Sequence, residues 1–184
     1  DGNEASLDGR MDIGVISDSF NQLPGGLAAS QANGDLPLGN RVRVLDDGSA
    51  SDIDEGRAMA ELIYDMGPAF DILFHSRNNA PGDMAEAFTH LQEEGADIIT
   101  DDISWYSEPV FQDGVVADTI QALYRDHGTL MFGSAGNRNN ESYVGVWQDD
   151  DGNDYHEFAG GDETLNFQLA DQETLDVTLH WNEP

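Results

Sequence analysis

Between Met11 and Asn137 the sequence alternates short apolar runs with segments whose apolar residues recur at helical spacing. This alternation is typical of a parallel sheet whose strands are joined by crossover helices. The apolar runs predict five strands: Asp12–Ser17, Arg41–Leu45, Asp71–His75, Asp97–Ile103 and Thr129–Ser134. Each run is too apolar for a half-exposed edge strand, so we expect a doubly wound, mostly parallel α/β sheet.

Three of the intervening segments predict amphipathic helices. Their apolar faces consist of Ala58, Met59, Leu62, Ile63 and Met66; of Met84, Ala85, Phe88 and Leu91; and of Val116, Ile120, Leu123 and Tyr124. A glycine follows each set, at Gly67, Gly95 and Gly128, where a helix is expected to stop. Ser51 and Asp54 are candidate caps for the start of the first helix.

After Tyr143 the apolar residues alternate with period two. The segments are Tyr143–Gln148, Tyr155–Phe158, Thr164–Leu169 and Thr174–Trp181, and Asp-Gly and Gly-Gly pairs separate them. This pattern predicts antiparallel strands joined by tight turns. We therefore divide the chain into an α/β core over residues 1–143 and a β-rich segment over residues 144–184, which is an insertion or the start of a β-sandwich.

The charge of the chain excludes several classes of function. Asp and Glu number 37 against 7 basic residues, which gives a net charge of −30, and there is no cysteine. A protein that binds nucleic acid by neutralising phosphates needs a basic face, so we expect no nucleic-acid partner. No apolar run approaches the roughly 18 residues of a membrane span, so we expect no membrane insertion. Without thiols, the chemistry is left to Ser, carboxylates, His or hard metals.

The seven basic residues are all Arg, and Lys is absent. So large a negative charge destabilises a compact state by self-repulsion unless the surroundings screen it. Molar salt does so, because the Debye length falls to about 3 Å at 1 M. The composition therefore predicts a protein adapted to high salt. Because the chain begins with Asp rather than Met, we also expect it to be part of a longer protein.

The ends of the predicted strands form a polar, acid-rich rim, where an open parallel sheet binds its ligands. This rim comprises Asp18, Asp46, Asp47, His75, Asp101, Asp102 and Ser134–Asn137. For His75 we favour a buried, hydrogen-bonded role over a catalytic one.

Two of these strand ends carry a family resemblance, namely Val-Ile-Ser-Asp-Ser at Val15–Ser19 and Gly-Ser-Ala-Gly-Asn at Gly133–Asn137. With the order of elements between them, the stretch from Asp12 to Glu141 resembles the subtilisin-like serine peptidases. The resemblance implies that Asp18 is the catalytic acid and that Asn137 donates to the oxyanion. It further implies an incomplete subtilisin-like fold, a polypeptide substrate and an extracellular location.

The sequence departs from that family at the general base. Where the family has His-Gly-Thr-His, this chain has Glu55-Gly56-Arg57-Ala58. A Glu base is similar to the sedolisin branch, although that branch has an Asp four residues later, where this chain has Met59. The resemblance thus implies that Asp18 and Glu55 form a carboxylate pair, which exchanges protons as a unit and works best in acid. The alternative is that Glu55 is a first-turn acid favoured by the helix dipole.

The family's nucleophile, in a Gly-Thr-Ser segment, has no counterpart here. We expect the nucleophilic Ser to belong to the remaining C-terminal half of the catalytic domain, which would be this chain's partner. Asp101, Asp102 and Ser104 are expected to line the substrate cleft. No cofactor is expected, and Asp149–Asp154 fails the calcium-loop template because Asp154 stands where Gly is needed. Two alternatives stay open: a non-catalytic peptide-binding domain of the same fold, and an unrelated acidic α/β domain that binds a divalent metal.

Overall fold

The computed structural model describes residues 10–138 and 141–182. The chain divides into two compact units, one that runs to Ala135 and includes the chain from His180 onward, and one that spans Gly136–Leu179. Within the described residues, no helix has the length and apolar character that crossing a membrane requires.

The first unit alternates strands and helices along its whole length. Its elements are β1 Asp12–Ser17, α1 Gly26–Asn33, β2 Val42–Asp46, α2 Glu55–Met66, β3 Asp71–Ser76, α3 Pro81–Glu93, β4 Ile98–Asp101, α4 Val115–His127 and β5 Leu130–Gly133. The five predicted strands are confirmed, with shifts of one or two residues at most of their ends. The three predicted helices are α2, α3 and α4.

The strands form one five-stranded sheet in the order β2-β3-β1-β4-β5, and every neighbouring pair is parallel. The predicted α/β class is therefore confirmed. After β3 the chain crosses over to the other side of β1, so β1 lies between β3 and β4. Ile16 pairs with Asp101 in the register of β1 and β4. The carboxyl ends of these two strands therefore lie side by side. The strand order reverses at this point, which is where such sheets bind ligands.

An apolar core covers each face of the sheet because adjacent strand residues point in opposite directions. On one face, α2 packs on β1 and β3 around a buried cluster of Val15, Phe20, Leu36, Val42, Ala60, Ile72 and Phe74. On the other face, α3 packs on the same strands and α4 on β5, around Ile16, Leu73, Met84, Ala87, Phe88, Leu91, Ala96, Ile99 and Leu123. The two layers hold the strand ends rigidly.

Helix α1 was not predicted from the sequence. Its eight residues, Gly-Leu-Ala-Ala-Ser-Gln-Ala-Asn, have almost no apolar stripe, and only Gly26 and Ser30 are buried. Gly25 and Gly34 flank it with φ values of 97° and 95°, a region that glycine adopts without a steric cost. The glycines and the Asn21 side chain, which accepts from the Leu27 N–H at 2.8 Å, define this helix better than its apolar pattern does.

Strand β5 departs from the expectation that every strand is covered. Leu130 is 44% exposed and Phe132 is 59% exposed. Both side chains point to the same face of the sheet, while Met131 points to the opposite face and packs against the α3 and α4 core. The first unit therefore has an apolar, uncovered strand at its edge.

The antiparallel strands predicted after Tyr143 do not form in the described residues of the second unit. Its described residues contain an isolated antiparallel bridge between Ala159 and Asp162 but no strand. The alternating apolar side chains are largely exposed, with Val144 at 94% and Val146 at 89%. Period-two alternation marks a strand with one covered face, and here nothing in this unit covers that face. Rings of Tyr143, His156 and Phe158 pack against one another within it.

Candidate active site

Asp18 follows β1 and binds the start of α2. One of its carboxylate oxygens accepts from the Ile53 N–H at 2.8 Å, and the other accepts from the Glu55 N–H at 2.8 Å and more weakly from the Gly56 N–H at 3.4 Å. The first N–H groups of a helix have no partner within the helix and carry a partial positive charge. Asp18 therefore acts as the N-terminal cap of α2 from a distant point in the sequence.

Glu55 is the first residue of α2, and its side chain is exposed. Because its own N–H donates to Asp18, the two predicted catalytic residues lie next to each other beyond the ends of the strands. The sequence prediction that Asp18 and Glu55 converge agrees with this geometry. Their catalytic roles stay predictions.

Asp102, one residue beyond β4, lies beside this pair. The Ser17 hydroxyl donates to its Oδ2 at 2.9 Å. Its Oδ1 is buried and has no hydrogen-bond partner among the residues that the structure describes. Burial raises the pKa of Asp102, and the negative charges of Glu55 and Asp18 raise it further, against the Ser17 hydrogen bond. The carboxylates of Asp18, Glu55 and Asp102 therefore lie close enough to interact electrostatically where β1 and β4 end.

Asp101 is the last residue of β4 and is partly buried. Burial raises its pKa to about 6; the Ile103 N–H opposes the shift and the neighbouring charge of Asp102 adds to it. Ser104, the third residue predicted to line a substrate cleft, is exposed beyond this strand end. Sequence reasoning placed Asp101 and Asp102 at the rim correctly, but it did not anticipate that burial would favour their protonated forms.

Asp54 holds the loop after β1 against α2. Its carboxylate accepts from the Ser19 hydroxyl and from the N–H groups of Gln22 and Leu23 at 2.7 to 2.9 Å, and it pairs with Arg57 at 3.0 Å. Burial alone would raise the pKa of Asp54, but these hydrogen bonds and Arg57 outweigh burial and lower it.

This role corrects the predicted cap. The Asp54 side chain makes no capping hydrogen bond to the helix, and its backbone is left-handed with a φ of 58°. Such a φ is uncommon outside glycine, and Asp and Asn are among the residues that tolerate it. The only sequence signal for a role of Asp54 was its position in Asp-Glu-Gly at the start of the helix.

The serines near this rim have committed hydroxyl groups. Ser17 and Ser19 are both completely buried, and their hydroxyls donate to Asp102 and Asp54 respectively. A completely buried hydroxyl cannot reach a substrate carbonyl. Neither serine is therefore a nucleophile in this arrangement.

Asn137, the predicted oxyanion donor, is exposed and belongs to the second unit, whereas the three carboxylates belong to the first. Its role stays a prediction.

Two observations concern metal ions. Within residues 10–138 and 141–182, no group of three or more His, Asp or Glu side chains is arranged to hold a metal ion. In the second unit, the carboxylate of Asp149 accepts from the N–H groups of Gly152, Asn153 and Asp154. These hydrogen bonds lower the pKa of Asp149, and they close the acidic loop on itself.

Comparisons of the chain with protein-family models, with curated proteins and with solved structures found no match.

Proposed function

We propose that this chain supplies the carboxylate part of a serine-type endopeptidase site, in which Glu55 is the general base and Asp18 positions it. The observation that carries the proposal is the hydrogen bond from the Glu55 N–H to the Asp18 carboxylate. This contact brings the backbone of Glu55 to the Asp18 carboxylate, beyond β1 and at the point where the order of the strands reverses, which supports a shared site for the two residues. An acid that orients a base beside the reacting group is the general logic of nucleophilic hydrolysis.

The proposed roles follow from exposure and hydrogen bonding. Glu55 is exposed, so its carboxylate is free to accept a proton from a nucleophile. Asp18 is bound by the first N–H groups of α2 and fixes the turn from which Glu55 projects. Asp101, Asp102 and Ser104 would line the cleft for the polypeptide substrate.

The nucleophilic Ser in this proposal belongs to a further part of the same catalytic domain. The exposed apolar face of β5, with Leu130 at 44% and Phe132 at 59% exposed, is the surface on which that part would pack. An edge strand also presents unpaired N–H and C=O groups that accept another strand. We further propose that the protein acts in concentrated salt, which its charge of −30 supports, and outside the cell, as the resemblance to subtilisin-like peptidases implies.

The test is peptide hydrolysis by the protein that contains this chain together with the sequence that follows it in the reading frame. We expect Glu55→Gln to lower kcat/KM by about 10²-fold or more, the usual contribution of a general base. Asp65→Asn, an exposed acid on the same helix, is the matched control and should keep full activity. Hydrolysis by the 184 residues alone, or a fully active Glu55→Gln variant, would overturn the proposal.

A second candidate is a non-catalytic, peptide-binding domain of the same fold. The buried and committed hydroxyls of Ser17 and Ser19 favour it, because neither serine can act as the nucleophile beside Asp18. Under this function, the longer protein would bind peptides without cleaving them, and Glu55→Gln would leave that binding within about twofold.

A further inference from the structure

A cavity lies on the α3 side of the sheet, beyond the ends of β2 and β3. It encloses about 440 Å³ and is lined by Leu45, Asp46, His75, Asn78, Asp83, Glu86 and His90. Three of these seven residues are carboxylates and two are histidines, and no Arg is among them. In neutral form, the histidines also offer a lone pair each. The lining of this cavity is therefore dominated by hydrogen-bond acceptors.

His75 is the buried floor of this cavity, at 7% exposure. Its Nδ1 lies 2.8 Å from the carbonyl oxygen of Ser76, so Nδ1 carries the proton and donates. In the neutral ring, this leaves Nε2 with its lone pair, and Nε2 has no hydrogen-bond partner among the described residues. The ring meets His90 of α3 edge to face at 5.3 Å. A buried ring with one fixed nitrogen and one unused acceptor is a preorganised contact for a donor.

Two of the carboxylates accept hydrogen bonds from neighbouring groups, and the Asp46 side chain is 44% exposed. Asp46 accepts from the Ser76 hydroxyl, and its Oδ2 lies 3.9 Å from Nδ1 of His75. Asp83 accepts from the Asn79 N–H at 3.2 Å. Glu86 is exposed on the next turn of α3 and closes the rim.

From this arrangement we infer that the cavity binds a small organic cation that bears a primary ammonium or guanidinium group. Such a group donates several hydrogen bonds at once and matches a site of carboxylates and one imidazole lone pair. The volume of about 440 Å³ is in the range of small-molecule sites. A bare metal ion fits less well, because the described residues contain no three ligands arranged around one point. The inference is independent of the proposed peptidase function.

The test is calorimetric titration of the 184-residue chain with 1,4-diaminobutane, with uncharged 1,4-butanediol as the probe of matched size. About 1 M NaCl removes the diffuse attraction of any cation to this acidic protein. We expect a single saturable site for the diamine and none for the diol. Glu86→Gln and Asp83→Asn should each weaken binding about tenfold, as expected for the loss of a charge-assisted hydrogen bond.

The matched control is Glu93→Gln, which removes the same charge from an exposed position of the same helix, away from the cavity. It should change the affinity by less than about twofold. Both Glu86 and Glu93 are exposed, so neither substitution threatens the fold. Equal weakening by the two glutamate variants would overturn the inference, since binding would then follow net charge alone. So would equal binding of the diamine and the diol, or tighter stoichiometric binding of Zn²⁺ alone.

Discussion

Asp54 fixes the loop that directly follows Asp18, beside the carboxylates of Glu55 and Asp102. It is 4% exposed and satisfies two backbone N–H groups, one hydroxyl and Arg57. Removal of a buried acceptor leaves each of these donors without a partner, and an uncompensated buried charge is especially costly. The loop that it holds runs from Ser19 to Leu23, directly after Asp18.

We expect Asp54→Ala to lower the free energy of unfolding by about 3 kcal/mol. Asp54→Asn retains both an acceptor and tolerance of the left-handed backbone, and it should cost about half as much. Urea denaturation measures both. The exposed Asp65→Ala on the same helix is the control, within about 0.5 kcal/mol of the unsubstituted chain. If Asp54→Ala were equally mild, the loop would not depend on this carboxylate.

Asp101 gives the protein a pH dependence of defined sign. Burial raises the pKa of Asp101 to about 6 in the folded state, above its ordinary value of 3.8. The folded protein therefore retains a proton that the unfolded chain has released between about pH 4 and pH 6. The free energy of unfolding falls as the pH rises through this window, and above it the folded state includes a poorly solvated charge.

Asp101→Asn cannot ionise, and its Oδ1 can still accept from the Ile103 N–H. We expect the variant to lose about 1 to 2 kcal/mol less stability than the unsubstituted chain between pH 4 and pH 8, a value reduced for partial exposure of the side chain. Urea midpoints at the two pH values measure this difference of differences. A parallel decrease in both proteins would show that Asp101 is not the titrating group.

The sequence was sufficient to place most of the rim but not its internal contacts. Parallel strands end at a common edge, so the positions of Asp18, Asp101 and Asp102 followed from the strands alone. The hydrogen bond from the Glu55 N–H to Asp18 joins residues 37 positions apart; the family resemblance predicted that the two residues are close, but not this backbone contact. Asp54 was taken for a local cap because a short-range pattern cannot reveal a carboxylate that turns away from its own helix.

At the scale of elements, α2 and α3 contain glycines in opposite surroundings. A Cβ added to Gly56 in α2 would lie 2.2 Å from Cε2 of Phe74 and 2.9 Å from the Ser19 carbonyl oxygen. A Cβ added to Gly82 in α3 meets no atom within 4 Å. The first glycine therefore permits the close approach of α2 to the sheet beside Asp18, whereas the second has no packing role.

Gly56→Ala and Gly82→Ala should consequently change stability with opposite signs. We expect the first to destabilise the fold by about 1 to 3 kcal/mol, because the buried Phe74 ring and a backbone oxygen have little room to shift. The second should stabilise by about 0.5 to 1 kcal/mol through the lower chain entropy of alanine. Thermal or urea unfolding compares the two directly. A stabilising Gly56→Ala would show that α2 can move away from the sheet.

The elements that the sequence predicted correctly are those whose apolar residues find a partner. All five strands of the first unit lie in one sheet, and Met59, Phe88 and Leu123 of the predicted helix faces contact its two cores. Leu62, Met66 and Tyr124 were predicted on the same faces but are 65%, 80% and 60% exposed. The segments after Tyr143 alternate just as clearly, yet Val177 is 70% and Leu179 is 74% exposed, and no strand forms in the described residues there. Alternation specifies which face of a strand is apolar, but a strand also needs a neighbour for its backbone.

At the scale of the whole molecule, the dominant quantity is a charge of −30 on 184 residues. All seven Arg form ion pairs with carboxylates in the described part, as between Arg43 and Glu94 at 2.6 Å and between Arg41 and Asp71 at 2.7 Å. Such pairs between exposed groups contribute little, commonly under about 1 kcal/mol each. They cannot offset the repulsion among the remaining acids, which only dissolved ions can screen.

We therefore expect the free energy of unfolding to increase between about 0.1 M and 2 M NaCl, since the Debye length falls from about 10 Å to below 3 Å. Urea is the appropriate denaturant because guanidinium is itself a screening cation. Sucrose separates the two physical causes: it strengthens burial by exclusion from the surface but screens no charge. A rise in NaCl that sucrose does not reproduce at equal osmolarity would identify screening as the cause. Stability that is unchanged across the salt series would instead mean that the acids lie too far apart to repel one another, and the reading of this composition as an adaptation to salt would be wrong.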